Sequence, residues 1–295
     1  QDLEFPTVLQ QIVARCNTEL GKESALEIVP IANREDLLES LGRTSEYLAS
    51  FSNDNRIPNH GFDQINPELG LLKIENSTLE VAGFRKIGGI CKTVAIHQKF
   101  LKKFKEYYPL LFQKSEALEY NTEIPEAIDA VIDKFGEIKD TASDELRHIR
   151  SQINEVRSKI NQSFGAALGR YQSMDYLDEI RESVVENRRV LAVKAMHRKK
   201  VKGTVMGTSK TGSIVYIVPE TTLTYTRELN NLEFEEKEEI QRILNQLTDQ
   251  IRPFAILLRE YQEYLADIDI TAAKAKYANE MNGVLPEINE TRELY

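Results

Sequence analysis

The chain has 295 residues, 41% hydrophobic and 29% charged, enough for one large or two modest domains with a real core. Gly is sparse, Trp is absent, and Leu, Ile, Glu, Lys, Ala and Gln are common, a mix that favours helices. No run of eighteen apolar residues occurs, which excludes a membrane-spanning helix, and a net charge of −9 taken alone argues against a polyanionic partner. The opening Gln1-Asp2-Leu3-Glu4 lacks both an initiator Met and the basic-then-apolar order of a secretion signal, so the chain is read as a trimmed piece of a cytoplasmic protein. Cys16 and Cys91 lie in apolar helical patterns without CxxC or His neighbours and are expected to be reduced core thiols.

The first 140 residues read as a succession of helices. Leu9, Ile12, Val13 and Cys16 repeat at helical spacing, as do Leu37, Leu38, Leu41 and Leu48. Asn53 to Pro67 reads as a loop, and a longer helix is expected from near Ser77, with Ile87, Cys91, Val94 and Leu101 on one face. Tyr107-Tyr108-Pro109 breaks it. Thr141-Ala142-Ser143-Asp144 has the form of a capping box with Thr141 at the N-cap. Leu146, Ile149, Ile153, Val156, Ile160, Phe164, Ala167 and Tyr171 then form a narrow seam suited to one partner helix. A second seam steps through Ile240, Leu244, Leu247, Ile251, Phe254, Leu258, Tyr261, Leu265 and Ile268, with Leu229 and Leu232 upstream. Two seams flanking a compact insert predict an antiparallel coiled coil whose outgoing helix is roughly 45 Å long. If both helices start level at the far end, Thr141 should face the region near Ile251, and Pro253 should mark the junction with the core.

Between the seams the period becomes two. Ser183–Glu186 and Val190–Val193 flank an Asn187-centred turn, and Gly203–Ser209 and Ser213–Val218 flank Lys210-Thr211-Gly212, where Gly212 supplies a positive φ. These are two short hairpins or one small sheet, ended by Pro219. The resulting fold is mainly α. A helical core (1–140, resumed at 253–295) carries an inserted antiparallel coiled-coil arm (141–252) capped by a small antiparallel β-sheet at about 180–219.

Charge is unevenly placed. From Arg188 to Lys210 there is no Asp or Glu, while Arg188, Arg189, Lys194, Arg198, Lys199, Lys200, Lys202 and Lys210 supply eight positive charges, leaving −17 on the rest. Such a segment suits a polyanion. Arg198, Lys199, Lys200 and Lys210 are the leading phosphate-binding candidates, Lys194 and Lys202 come next because strand alternation can turn either away, and Ser209 and Thr211 offer hydroxyl donors. The bland reading is a solvated hairpin whose lysines block edge pairing. His197 reads as an exposed side chain beside this cluster, and the scattered His60, His97 and His148 have no metal-ligand spacing. The run Glu233, Glu235, Glu236, Glu238 and Glu239 reads as a solvated helix face with Lys237 and Arg242 in reach. No catalytic residue and no metal site is assigned.

With these elements in place the chain resembles the MutS family of DNA mismatch-repair-like proteins, and looks most like its second bacterial branch. Phe135-Gly136-Glu137-Ile138-Lys139 leads into Asp140-Thr141-Ala142-Ser143-Asp144-Glu145-Leu146-Arg147-His148-Ile149-Arg150, similar to the family's opening of the arm. Arg189–Lys194, Gly203-Thr204-Val205, Ser209–Ser213 and Tyr216–Pro219 are similar to its clamp strands, and Leu229-Asn230-Asn231-Leu232 to its return helix. Val218 stands where the family usually has Glu, and Thr211 where it often has Ser. The resemblance implies a core and clamp that hold duplex or branched DNA, in recombination control or repair. It also implies a further ATPase domain, with ATP and magnesium, beyond Leu294-Tyr295, and a homodimeric full-length protein. In this chain no Gly-x-x-x-x-Gly-Lys-Ser/Thr loop occurs, so nucleotide is not expected here.

Two other functions remain open on the sequence. The same basic segment can hold ribosomal RNA on stalled ribosomes, which the resemblance also implies, and the arm can be a structural coiled-coil module that binds protein. Salt-sensitive binding marks a nucleic-acid partner; salt-resistant binding through outward apolar side chains marks a protein.

Overall fold

The computed structural model describes residues 4–288; Gln1-Asp2-Leu3 and the closing Leu294-Tyr295 lie outside the described residues. The helices are α1 (Phe5–Val13), α2 (Glu19–Leu26), α3 (Arg34–Ala49), α4 (Asn66–Leu72), α5 (Val81–Lys103), α6 (Pro109–Glu116), α7 (Glu123–Val131), α8 (Asp144–Ser173), α9 (Glu220–Ile251) and α10 (Ala255–Glu280). The strands are β1 (Leu177–Val185), β2 (Arg188–Lys194), β3 (Gly203–Thr208) and β4 (Ile214–Pro219). The chain divides into two compact units, one from the segments before Ile138 and after Ile243, the other Ile138–Ile243.

In the first unit α10 packs against α1 to α5. Leu258, Tyr261, Leu265 and Ile268 are buried as their seam predicts, yet Leu257, Tyr264, Ala272 and Ala275 on its other faces are buried too. A helix buried on this many faces, with Ile256, Arg259, Glu260 and Glu263 left exposed, packs as a core helix. The helix expected from Ser77 starts instead at Val81, and Ile87, Cys91, Val94 and Leu101 are buried along it. Cys16 lies beyond α1, packed with Ala25 and Ala273; both cysteines are buried and free. Pro253 sits in a 3₁₀ turn, Arg252–Phe254, between α9 and α10, while the division between the units comes earlier, within α9.

In the second unit α8 starts two residues later than its sequence box suggests. Ser143, not Thr141, is the N-cap: it is extended and its Oγ accepts from Leu146 N at 2.9 Å. Thr141 is held in a 3₁₀ turn, Asp140–Ala142, closed by Arg150 Nη1 on Asp140 Oδ1 at 2.5 Å. The pairing of α8 with α9 is antiparallel. Ser143 Oγ donates to Glu239 Oε1 (2.6 Å), Arg150 Nε to Glu236 Oε1 (2.7 Å) and Arg157 Nη2 to Glu233 Oε1 (3.2 Å), and Ser163 Oγ meets Thr222 Oγ1 (3.2 Å). Ile149, Ile153 and Val156 pack with Leu232, flanked by Ile160, Tyr225 and Leu229. The carboxylate run is therefore not a plain solvated face, since Glu239 is only 7% exposed and three of its members answer residues of α8.

The two helices do not begin level, and Thr141 does not face Ile251. With Ser163 opposite Thr222, the last turns of α8 run past the start of α9 and cover the sheet. Phe164, Ala167 and Tyr171 pack there on Leu177, Leu191, Val193, Val215 and Ile217. Ser143 consequently answers Glu239, well short of Ile251.

The strands form one antiparallel sheet of order β1-β2-β4-β3, so the two hairpins join through β2 and β4. Val190 to Val193, in β2, one of the two inner strands, are fully buried. Glu186 and Asn187 take φ of 49° and 63°, the two positive values that a two-residue β1–β2 turn requires, and Gly212 takes 70° in the β3–β4 turn. β1 begins six residues earlier than expected and carries a bulge between Leu177 and Glu182, where Arg181 has φ 61°.

Candidate nucleic-acid interface

The strand order separates the cations of the basic segment along the sheet. Lys194 pairs with Ile214 and Ala195 N donates to Ser213 O, so β2 ends beside the turn that carries Lys210. Gly203 pairs with Pro219 at the opposite end. The connection from β2 to β3 thus crosses the whole sheet, and its 3₁₀ segment Ala195–Lys200 carries Arg198, Lys199 and Lys200. A six-residue strand at about 3.3 Å per residue makes this crossing roughly 20 Å long. Of the leading phosphate-binding candidates, Arg198, Lys199 and Lys200 therefore lie on this crossover, and only Lys210 occupies a hairpin turn.

Pairing divides the cations into two groups. Lys194 Nζ is 2.8 Å from Asp175 Oδ1, and its hydrogen bond and charge hold that carboxyl below the usual range. Arg189 Nη2 is 2.7 Å from Glu182 Oε2 and its guanidinium lies 4.3 Å from the Phe164 ring centroid. Among the described residues Arg188, Arg198, Lys199, Lys200, Lys202 and Lys210 have no carboxylate partner, and all six are exposed. Ser209 and Thr211 serve the turn itself: Ser209 Oγ accepts from Ile214 N at 3.1 Å, and Thr211 Oγ1 meets Ser213 Oγ at 2.8 Å.

His197 is not the free side chain its setting suggested. Its ring stacks on Tyr176 at 4.7 Å between centroids, Tyr176 stacks on Tyr171 at 6.3 Å, and Lys200 Nζ lies 5.3 Å from the Tyr176 centroid. This ring stack fixes the crossing segment to the end of α8, which leaves Arg198 and Lys199 projecting from a held backbone.

Lys202 is held as firmly. Its N–H donates to Tyr171 Oη at 3.4 Å and its carbonyl accepts from Glu220 N at 3.1 Å, tying β3 to both helices. Two clefts flank it, one of about 420 Å³ lined by Arg198, Lys199, Thr204 and Glu220, the other of about 580 Å³ lined by Arg170, Thr221, Thr224, Tyr225 and Glu220. Arg170 lies outside the basic run and was missed; the available signal was that no Asp or Glu stands three or four residues from it on α8. No three His, Cys, Asp or Glu among the described residues converge as metal donors, and no described helix is long and apolar enough to cross a membrane.

No family model matches the chain. It is similar to the protein named Endonuclease MutS2 of Geobacillus sp. (strain WCH70), 28% identical over 291 residues, 98% of this chain and 37% of that protein. It is likewise 28% identical over 292 residues to Putative endonuclease MutS2 of Bacillus subtilis (strain 168), with the same coverage. Endonuclease MutS2 of Staphylococcus carnosus (strain TM300) is 26% identical over 299 residues, 99% of this chain and 38% of the relative. The resemblance read from the opening of α8 and the strands thus extends over nearly the whole chain, which spans 37–38% of the length of these relatives.

Proposed function

We propose that this MutS-like chain is a core and clamp region in which α8 and α9 form an antiparallel coiled-coil arm. In this reading the sheet that the arm carries grips the phosphate backbone of duplex or branched DNA without reading sequence, in recombination control or repair. The supporting observation is that six exposed cations of the basic segment have no carboxylate partner among the described residues, in a chain with nine more acidic than basic residues. A crossing of roughly 20 Å matches a length of duplex that carries about a dozen phosphate charges. Held at fixed backbone positions, Arg198, Lys199 and Lys210 release counterions on contact without first ordering a loop, so little entropy opposes binding.

ATP and magnesium belong, in this proposal, to a further domain of the full-length protein. Gly207 to Ser213 has two glycines at phosphate-loop spacing, but Ser213 stands where the Lys is needed and the segment is a β-hairpin turn, not the start of a helix. The residues present do not fit a nucleotide, and no catalytic residue is assigned.

The test is fluorescence anisotropy with a duplex DNA oligonucleotide over a salt series, comparing the parent with the triple variant R198A/K199A/K200A. The variant should bind more weakly to every sequence, with the slope of log affinity against log salt reduced by about three and its melting temperature nearly unchanged. A triple variant that binds like the parent, or parental binding that resists salt, would remove the proposal.

A further inference from the structure

We infer that the phosphate-binding surface continues past the crossing segment into the cleft between the end of α8 and the start of α9, where Arg170 holds a further backbone phosphate of the same nucleic-acid strand. This rests on the function proposed above and adds to it a residue from outside the basic run.

Lys202 is the link. It lines both clefts, and its backbone is fixed by Tyr171 on one side and Glu220 on the other. On one side of it stand Arg198 and Lys199; on the other stand Arg170 and the hydroxyls of Thr221 and Thr224. Arg170 is exposed and has no carboxylate partner among the described residues; its guanidinium carbon lies 5.7 Å from the centroid of the Tyr171 ring. A weakly hydrated, planar cation beside an aromatic ring and two exposed hydroxyls is a donor set suited to phosphate oxygens.

The competing explanation is a solvated arginine at the end of a helix, where a cation is favoured by the helix dipole. Position argues against it as sufficient. The cations that line the two clefts number four, Arg170, Arg198, Lys199 and Lys202, against one carboxylate, Glu220, which both clefts share. In a chain where acids outnumber bases, such a local excess is a field directed at an anion. Glu220, in the first turn of α9, then acts against phosphate and sets how tightly the surface binds.

Opposite charge changes give opposite predictions. With the same duplex and salt series, Arg170→Gln should lower the salt slope by about one and weaken binding roughly five-fold at ~0.15 M salt. Glu220→Gln should tighten binding. Arg147→Gln, which removes an exposed cation of α8 already paired with Asp144, should change neither quantity. Because the Arg170 guanidinium makes no hydrogen bond among the described residues, its variant should melt with the parent, which keeps a binding loss distinct from unfolding. If Arg170→Gln keeps the parent's slope while R198A/K199A/K200A loses it, the continuation is wrong and the proposed function stands. If neither variant changes the slope, both fail.

Discussion

His60 Nε2 donates to Asp269 Oδ1 at 2.9 Å, although neither side chain has more than a trace of surface. Asp269 also accepts from Asn17 N at 2.9 Å, Thr18 N at 2.8 Å and Thr18 Oγ1 at 2.6 Å, so one carboxylate ties the α1–α2 turn and the loop before α4 to α10. Burial raises its pKa, and the bonds from His60, Asn17 and Thr18 outweigh that and hold it below the usual range. Asp269→Ala strands at least three buried donors and should cost the helical unit about 3–5 kcal/mol at neutral pH by urea unfolding. A carboxyl depressed in the folded state adds stability above its unfolded pKa and loses it as pH falls through the folded value. The gap between parent and variant should therefore shrink below pH ~4. An equal gap at pH 7 and pH 3 would refute the assignment.

Ser143 joins a helix cap to a helix pair. Its hydroxyl accepts from Leu146 N and donates to buried Glu239, whose carboxyl is held below the usual range chiefly by hydrogen bonds from Arg242, against burial, with Ser143 assisting. Ser143→Ala should cost the second unit about 1–2 kcal/mol at pH 7. Part of that loss depends on ionised Glu239, so it should decline as the solution is acidified through the carboxylate range. Urea titrations at pH 7 and pH 3.5 measure both.

The alternation of polar and apolar residues made the helices and strands readable, because each follows a period of 3.6 or 2 that burial enforces. Leu146 through Tyr171 are buried at nearly every step of their seam for that reason. Three features escaped a one-dimensional reading. The offset that puts Ser143 opposite Glu239 arises because α8 must cover the sheet as well as α9. The buried His60–Asp269 bond joins residues more than two hundred positions apart. The basic run was visible as charge, but which of its members are neutralised depends on Asp175 and Glu182, acids that stand before the run and that the fold brings back to Lys194 and Arg189.

Burial pushes the Cys16 thiol up to about 11 and that of Cys91 up to about 12. At pH 8 both should be almost wholly protonated and slow to react. Ellman's reagent should register neither in the folded protein and both in denaturant. Rapid reaction of either under native conditions would contradict its buried placement.

Gly203 leaves no room for a side chain. A Cβ there would sit 2.1 Å from Val218 O and 2.7 Å from Ile217 Cγ2, at the pair that joins β3 to the end of β4. The obstacle is backbone, which cannot rotate aside as a side chain does. Gly203→Ala should destabilise the second unit by about 3 kcal/mol, the upper part of the range for overpacking, and lower its melting transition. It should also weaken DNA binding, since displacing β3 moves Lys202.

Lys194 tests whether exposure or pairing decides which cations meet phosphate. It sits in the basic run and would be included on charge alone, yet Asp175 holds it at 2.8 Å. A bound phosphate must displace that carboxylate, gaining one ionic contact and losing another, so the counterion released from the nucleic acid is offset by the cation taken up at the freed Asp175. Lys194→Ala should therefore leave the salt slope within error of the parent, whereas Lys199→Ala should lower it by about one. Asp175→Asn removes the competitor and frees Lys194, so it should raise the slope instead. Anisotropy titrations of the three variants in one salt series settle the matter. If Lys194→Ala and Lys199→Ala lower the slope equally, pairing within the sheet has no bearing on phosphate contact, and every cation from Arg188 to Lys210 must be counted alike.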